Sequence, residues 1–381
     1  MNATTVRTRV GDLDLILETG KMAKQAGGSV VVRYGDMTLL ATATMGNVRE
    51  GDFFPLTVDV EAKTYAAGRI PVTFFRREGR PGDRSTLIAR MTDRPLRPLF
   101  PNGMRNEVQV VLTVLSTDEH GIPDTLCGLG ASAALTISEI PFGGPVGSVR
   151  VGWIEGAPVI NPTYEQLAES QLDLMVAGTA DAITMVEAGA NELSRADMLT
   201  ALEAAHETIK GICAIQIQLR ELVGKAKVEV PLPSTDEELK AKVRELFAPR
   251  WRAELGSPGK ERHYNTLKQY GKETVATLLE DPANEGREAE LKRYVHEIEG
   301  EVVRRMILDE GIRSDGRDMV TVRPIDVEVQ ALPRVHGSAL FTRGETQVLN
   351  VTTLGTVGDR KATDWLDRKS TRLNSSHLGI S

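Results

Sequence analysis

One stretch of this chain is written twice. Residues 28 to 46 read GSVVVRYGDMTLLATATMG, and residues 337 to 355 read GSALFTRGETQVLNVTTLG. They align without a gap at an offset of 309 residues, so that Gly28, Ser29, Gly35, Leu40, Thr44 and Gly46 meet Gly337, Ser338, Gly344, Leu349, Thr353 and Gly355. Asp36 meets Glu345. Both copies are rich in Val, Leu and Thr around a Gly-Asp or Gly-Glu pair, which is strand composition around a hairpin turn. A repeat at this distance points to a duplicated domain rather than a short-period solenoid. A domain's length of chain follows the first copy, whereas only 26 residues follow the second. The expectation is one whole domain, a connector and the start of another.

A length of 381 residues leaves room for two or more domains. The 41% hydrophobic and 26% charged content excludes a disordered or fibrous chain. A net charge of −7 excludes a globally basic nucleic-acid binder, so any polyanion site must be local and built from clustered arginines. Cys127 and Cys213 sit in apolar stretches without CxxC spacing and read as buried small hydrophobes in a reducing compartment. No run approaches the ~18–20 apolar residues of a membrane span. The charged, alternating N-terminus is not a signal peptide. A cytoplasmic protein with no membrane partner is expected.

Strands are expected from Val6 to about Val60, over residues 107–116 and 146–160, and as a hairpin over 172–188. Helices are expected over 85–99, ended by Pro95 and Pro98, over 124–140 with Asp124 as N-cap, and over 194–222. This order argues for an α+β fold or a mixed sheet with helices on one face. Residues 225–233 read as a linker. Residues 234–309 are charged and helical, with Ser234 opening an N-cap sequence and breaks at Pro249, residues 256–259 and residues 282–286. Strands resume at Ile312. Residues 368–381 have no period; they read as a non-native junction, which is favoured, or as a disordered tail.

The loop YAAGRIPVTFFRREGRPGDRS carries the most distinctive chemistry. Phe74 and Phe75 stand beside Arg76 and Arg77, with Arg69, Arg80 and Arg84 close by. Adjacent aromatics cannot both enter one core by alternation, so at least one is expected at the surface. Exposed rings beside guanidiniums suit single-stranded RNA, because bases stack on the rings and arginines hold phosphates. The alternative is a buried Phe pair with arginines in structural ion pairs. Arg90, Arg94 and Arg97 share one helix face if the helix continues past Pro95, and would serve either phosphate or a surface ion-pair cluster. His120, His206 and His336 read as packed or surface residues. No GxxxxGK[ST], HExxH or GxSxG pattern supports a phosphate loop, zinc hydrolase or serine hydrolase.

FFRREGRPG, TDRPLRPLFP, INPT, DLMVAGTADAITMVEAGA, DGRDMVTVRPI and LPRVHGSALFTRGETQVLNVTTLGT together resemble the bacterial polynucleotide phosphorylase family over about Val6 to Asp359. The resemblance implies an α+β RNase PH-like core of the ribosomal protein S5 domain 2-like type over 6–224 and a linker over 225–233. It further implies an all-helical domain over 234–310, the start of a second, truncated core over 311–366, and a non-native tail over 367–381. KH and S1 domains follow the second core in the family.

The implied activity is 3′-to-5′ phosphorolysis of single-stranded RNA, with inorganic phosphate as co-substrate and Mg2+ or Mn2+ as cofactor. A homotrimer and partners in an RNA-degradation complex are implied as well. The family's catalytic and metal-binding residues are expected beyond residue 359, so no catalytic or metal-binding residue is expected in this chain. The implied RNA contacts are Phe74, Phe75, Arg76, Arg77, Arg94 and Arg97, with Arg317 on the second core's substrate side. Val72 and Thr73 stand where many members have Gly-Gly or Gly-Ser. Two readings follow: a phosphorolytic exoribonuclease whose chain is cut short here, or an RNase PH-like scaffold that binds RNA without catalysis.

Overall fold

A computed structural model describes residues 3–49, 51, 53–71, 75–118, 123–230, 232, 234–255, 260–356 and 378–380. The described residues divide into two compact units, one up to residue 232 and one from residue 234 onward.

The first unit opens with a meander of β1 (Thr4–Val10), β2 (Leu13–Thr19), β3 (Gly28–Tyr34) and β4 (Met37–Val48), and β5 (Leu56–Ala62) follows. After α1 (Asp83–Leu96), strand β6 (Asn106–Ser116) inserts between β4 and β5, giving the order β1-β2-β3-β4-β6-β5. Only the β5/β6 pair is parallel. The second sheet has the order β10-β9-β7-β8, from β7 (Gly147–Ile154), β8 (Ala157–Ile160), β9 (Leu172–Gly178) and β10 (Ile183–Ala190). Helix α2 (Asp124–Ile137) touches β3, β4, β6 and β7. Helix α4 (Arg195–Val223) touches β1, β7, β8 and β9. The helices therefore lie against both sheets, not on one face of one sheet. Every residue of α2 is buried, which its Gly, Ala and Ser content permits.

Several local expectations are corrected. Asp124 is the first helical residue, not the N-cap, a position held by Pro123 without a side-chain bond. Helix α1 runs through Pro95 to Leu96, because the proline falls in the last turn and forfeits only one backbone bond there. The short helix α3 (Tyr164–Glu169) was not anticipated; it is set by a capping box in which Thr163 and Gln166 exchange side-chain and backbone bonds. The segment read as a linker is strapped to the first unit. Lys225 N donates to Ile137 O at 2.9 Å and Val228 N to Glu139 O at 2.8 Å. The Lys227 ammonium reaches the carbonyls of Leu135, Thr136 and Ser138 at the end of α2, where a cation is favoured.

The second unit begins with α5 (Glu237–Glu254), α6 (Lys260–Leu279) and α7 (Glu288–Glu310). Leu239, Val243, Phe247 and Trp251 recur every four residues on α5 and pack with Leu291, Tyr294 and Ile298 of α7. That burial carries α5 straight through the exposed Pro249, which was expected to break it. Its N-cap is Asp236, not Ser234; the carboxylate accepts from Leu239 N at 3.0 Å.

The repeat is real at the level of register. In the first copy β3 and β4 pair Gly28 with Ala43 and Tyr34 with Met37. In the second, β12 (Gly337–Arg343) and β13 (Thr346–Thr352) pair Gly337 with Thr352 and Arg343 with Thr346, each partner 309 residues on. The turn glycines Gly35 and Gly344 have φ of 58° and 61°, a region open to glycine at no steric cost. β11 (Ile325–Val329) flanks β12, and β14 (Leu378–Ile380) flanks β13. The copies differ in burial: β3 is almost wholly buried, whereas no residue of β11, β12 or β13 is.

Candidate nucleic-acid interface

The FFRR loop hangs from a 3-10 turn, Thr64–Ala67, that follows β5. Ala66 is in the core, and its carbonyl accepts from Thr117 N at 3.0 Å, just past the end of β6. Gly68 closes the turn at φ 65° and Arg69 N returns to Thr64 O at 3.1 Å. Further on, Gly82 is the N-cap of α1, which begins at Asp83.

Phe74 lies outside the described residues. Phe75 is 78% exposed, so the two phenylalanines are not buried as a pair. Arg76, Arg77 and Arg80 are exposed beside it. Tyr65 and Ile70, on either side of the 3-10 turn's exit, are also exposed. The loop thus combines apolar surface with three or more guanidiniums, in a chain that is acidic overall. Arg76 adopts φ 53°, a left-handed conformation that a non-glycine residue holds only when its surroundings impose it.

The other arginines are differently placed. Arg84 donates to the Tyr164 hydroxyl at 3.0 Å, linking α1 to α3. Arg94 forms an ion pair with Glu187 of β10. Arg97 lies beyond the end of α1, in a 3-10 turn of its own. Its guanidinium makes two bonds to Asp93, donates to Phe54 O at 2.9 Å and Leu56 O at 3.2 Å, and lies 5.8 Å from the Phe54 ring centroid. It ties the end of α1 to the start of β5. Arg317, in the second unit, bonds Asp315 at 2.9 Å and Thr321 O at 2.7 Å and is only 14% exposed. Of the arginines singled out in the sequence, Arg76, Arg77 and Arg80 are exposed in the same loop segment as the exposed Phe75 ring.

One member of this loop escaped the sequence reading. Glu78 Oε1 accepts from both Thr64 N and Thr64 Oγ1, each at 2.8 Å. The available signal was a carboxylate set between Arg77 and Arg80 in a stretch otherwise suited to an anion.

Among the described residues no three His, Cys, Asp or Glu side chains converge to hold a metal ion. The two thiols are buried. Burial raises Cys213 to about 11 and Cys127 further, so neither is a ready nucleophile.

The model of the 3′ exoribonuclease family, domain 1, matches residues 13–141, and that of the same family's domain 2 matches residues 144–208. The chain belongs to the 3′ exoribonuclease family. The family's first domain spans the six-stranded sheet from β2 on with α1 and α2, and its second the four-stranded sheet with the first half of α4. The model of the polyribonucleotide nucleotidyltransferase RNA binding domain matches residues 238–318, over the three helices of the second unit.

Polyribonucleotide nucleotidyltransferases are similar to nearly the whole chain. That of Heliobacterium modesticaldum is 48% identical over 368 residues, 96% of this chain and 52% of the relative. That of Chloroflexus aggregans is 47% identical over 381 residues, 99% of this chain and 50% of the relative. That of Geobacter sulfurreducens is 46% identical over 368 residues, 96% and 52% respectively. The chain spans about half the length of the curated relatives it matches. A crystal structure of rice (Oryza sativa) Rrp46 covers 57% of this chain and 94% of its own at 13% identity and a TM-score of 0.42.

Proposed function

We propose that this chain is the RNA-handling part of a polyribonucleotide nucleotidyltransferase, which degrades single-stranded RNA from its 3′ end with inorganic phosphate and releases nucleoside diphosphates. The names of its relatives and its two exoribonuclease domains support the activity. The observation that carries the local role is the exposed Phe75 beside Arg76 and Arg77.

Phosphate is itself the nucleophile in such a reaction, so no strong protein base is required. The protein must bring two anions together and stabilise charge on the phosphoryl oxygens. A loop that stacks bases and neutralises the backbone feeds the 3′ end to that site without touching the reacting atoms. Arg94 and Arg97 enter the proposal as flanking contacts, each of which would first have to leave an ion pair. Phe74 enters by its place in the sequence alone. A cytoplasmic homotrimer, a Mg2+ or Mn2+ requirement and partners in an RNA-degradation complex belong to the proposal by resemblance. Among the described residues no helix is long and apolar enough to cross a membrane.

Replacing Arg76 and Arg77 by Ala is expected to weaken RNA binding and to flatten its salt dependence. Each phosphate contact contributes about 0.7 to the slope of log K against log salt on single strands, so the pair accounts for up to about 1.4. An unchanged slope removes the loop from the RNA path.

The second reading is a scaffold that binds RNA without catalysis. The two are separated by incubating the purified chain with poly(A), phosphate and magnesium. Release of nucleoside diphosphate that requires phosphate establishes catalysis by this chain. Binding without release is expected if these residues only hold RNA.

A further inference from the structure

We propose that Glu78 is a positioning residue that aims Arg76 and Arg77, an inference resting on the RNA-binding reading of this loop. A carboxylate beside a polyanion site opposes binding by its charge, so its presence needs another cause. The cause is on the other side of the loop. Thr64 is buried and opens the 3-10 turn, where the backbone N–H groups have no partner within the turn. Lys63, at the cap position, offers no side-chain bond. Glu78 supplies it from 14 residues away, accepting from Thr64 N and Thr64 Oγ1 through one oxygen. Both bonds are charge-assisted, and an anion is favoured at a helical N-terminus.

The turn that Glu78 grips is itself immobilised, since Ala66 is in the core and bonded to Thr117 at the end of β6. Glu78 is thus the point at which a surface loop is referenced to the central sheet. Arg77 is its immediate neighbour. Arg76, two residues away, stands in the left-handed region, which persists only while its surroundings hold it. Without the anchor, RNA binding would have to order this segment at the moment of contact, and affinity would fall.

Glu78→Ala and Glu78→Gln separate position from charge. Affinity is read by fluorescence anisotropy of the full chain with a labelled oligoadenylate. Glu78→Ala is expected to weaken binding about five- to tenfold although it removes a negative charge. Glu78→Gln keeps a carbonyl acceptor for both Thr64 donors and is expected to stay within about twofold of the parent. In an Arg76→Ala/Arg77→Ala background, Glu78→Ala is expected to change nothing further. If both Glu78 variants tighten binding equally, the residue acts only by charge and the proposal is overturned. A lower melting temperature with unchanged affinity overturns it too, leaving a purely structural role. Should the double arginine variant bind as tightly as the parent, the RNA-binding reading itself fails. Loss in that variant without loss in Glu78→Ala removes the positioning role alone.

Discussion

Replacing Arg150 by Met is expected to destabilise the first unit by about 3–5 kcal/mol, the cost of stranding a buried charge. Arg150 is on β7, and its guanidinium pairs with Asp124 in the first turn of α2 and with Asp173 on β9. Burial by itself would lower the arginine's pKa, but the two carboxylates outweigh it and push it up. The partners differ in what they lose. Asp173 is about half exposed and would be rehydrated, whereas Asp124 is 4% exposed and would lose its ion-pair partner in a site closed to water. Its remaining partner is Thr125 N at 2.8 Å. The damage should therefore pass through Asp124. Adding Asp124→Leu to Arg150→Met is expected to recover a large part of the loss, since an apolar replacement of the whole pair is often neutral. The two units need not unfold together, so hydrogen exchange at the α2 and β7 amides is the appropriate measurement. A change below about 0.5 kcal/mol for the single variant would show that water reaches Asp124 freely.

This ion pair also shows what could and could not be read from the sequence. Alternation of Val, Leu and Thr located β1 to β4 and β6, and three-and-four spacing located α4, because each element signals its own buried face locally. Asp124 looked like an N-cap because it precedes an apolar helical run. Its actual partner is 26 residues away on another element, which no local pattern encodes. The family motif INPT has a similar explanation. Asn161 Oδ1 accepts from Arg150 N at 3.0 Å, Pro162 packs over Gly152, and Thr163 caps α3. The motif holds β7 against β8.

In the candidate interface, residue types were legible and their engagements were not. Phe75, Arg76 and Arg77 stood out as aromatic next to cation in a Gly- and Pro-bounded loop. Arg97 stands out for sharing a helix face with Arg90 and Arg94, yet its guanidinium is held by Asp93 and by the carbonyls of Phe54 and Leu56. Glu78 gives no such signal, because a single acid among arginines has no periodicity to announce it. Only the return of the chain to Thr64 reveals its bond.

Gly28→Ala is expected to cost about 3 kcal/mol or more, at or beyond the upper end for overpacking a core. A Cβ on Gly28 would lie 2.0 Å from the carbonyl oxygen of Ala134 and 3.0 Å from the Ser138 Cβ. The obstacle is the backbone of α2, a helix buried on every side, so it cannot swing aside as a flexible side chain could. Gly337 holds the matched place in the second copy with the same strand register, but there a Cβ would meet the Thr352 side chain, its Cβ at 3.4 Å and its Oγ1 at 3.8 Å. That is ordinary contact. Gly337→Ala is expected to be neutral, or to stabilise by about 0.4–1 kcal/mol through the unfolded chain. The comparison is made by hydrogen exchange at the β3–β4 and β12–β13 amides of each variant. Loss of protection confined to β3 and β4 in Gly28→Ala identifies close approach of a helix, and not the hairpin itself, as what requires glycine. Equal effects in both copies would instead assign the requirement to the strand pairing that the copies share, and the steric account of α2 would be wrong.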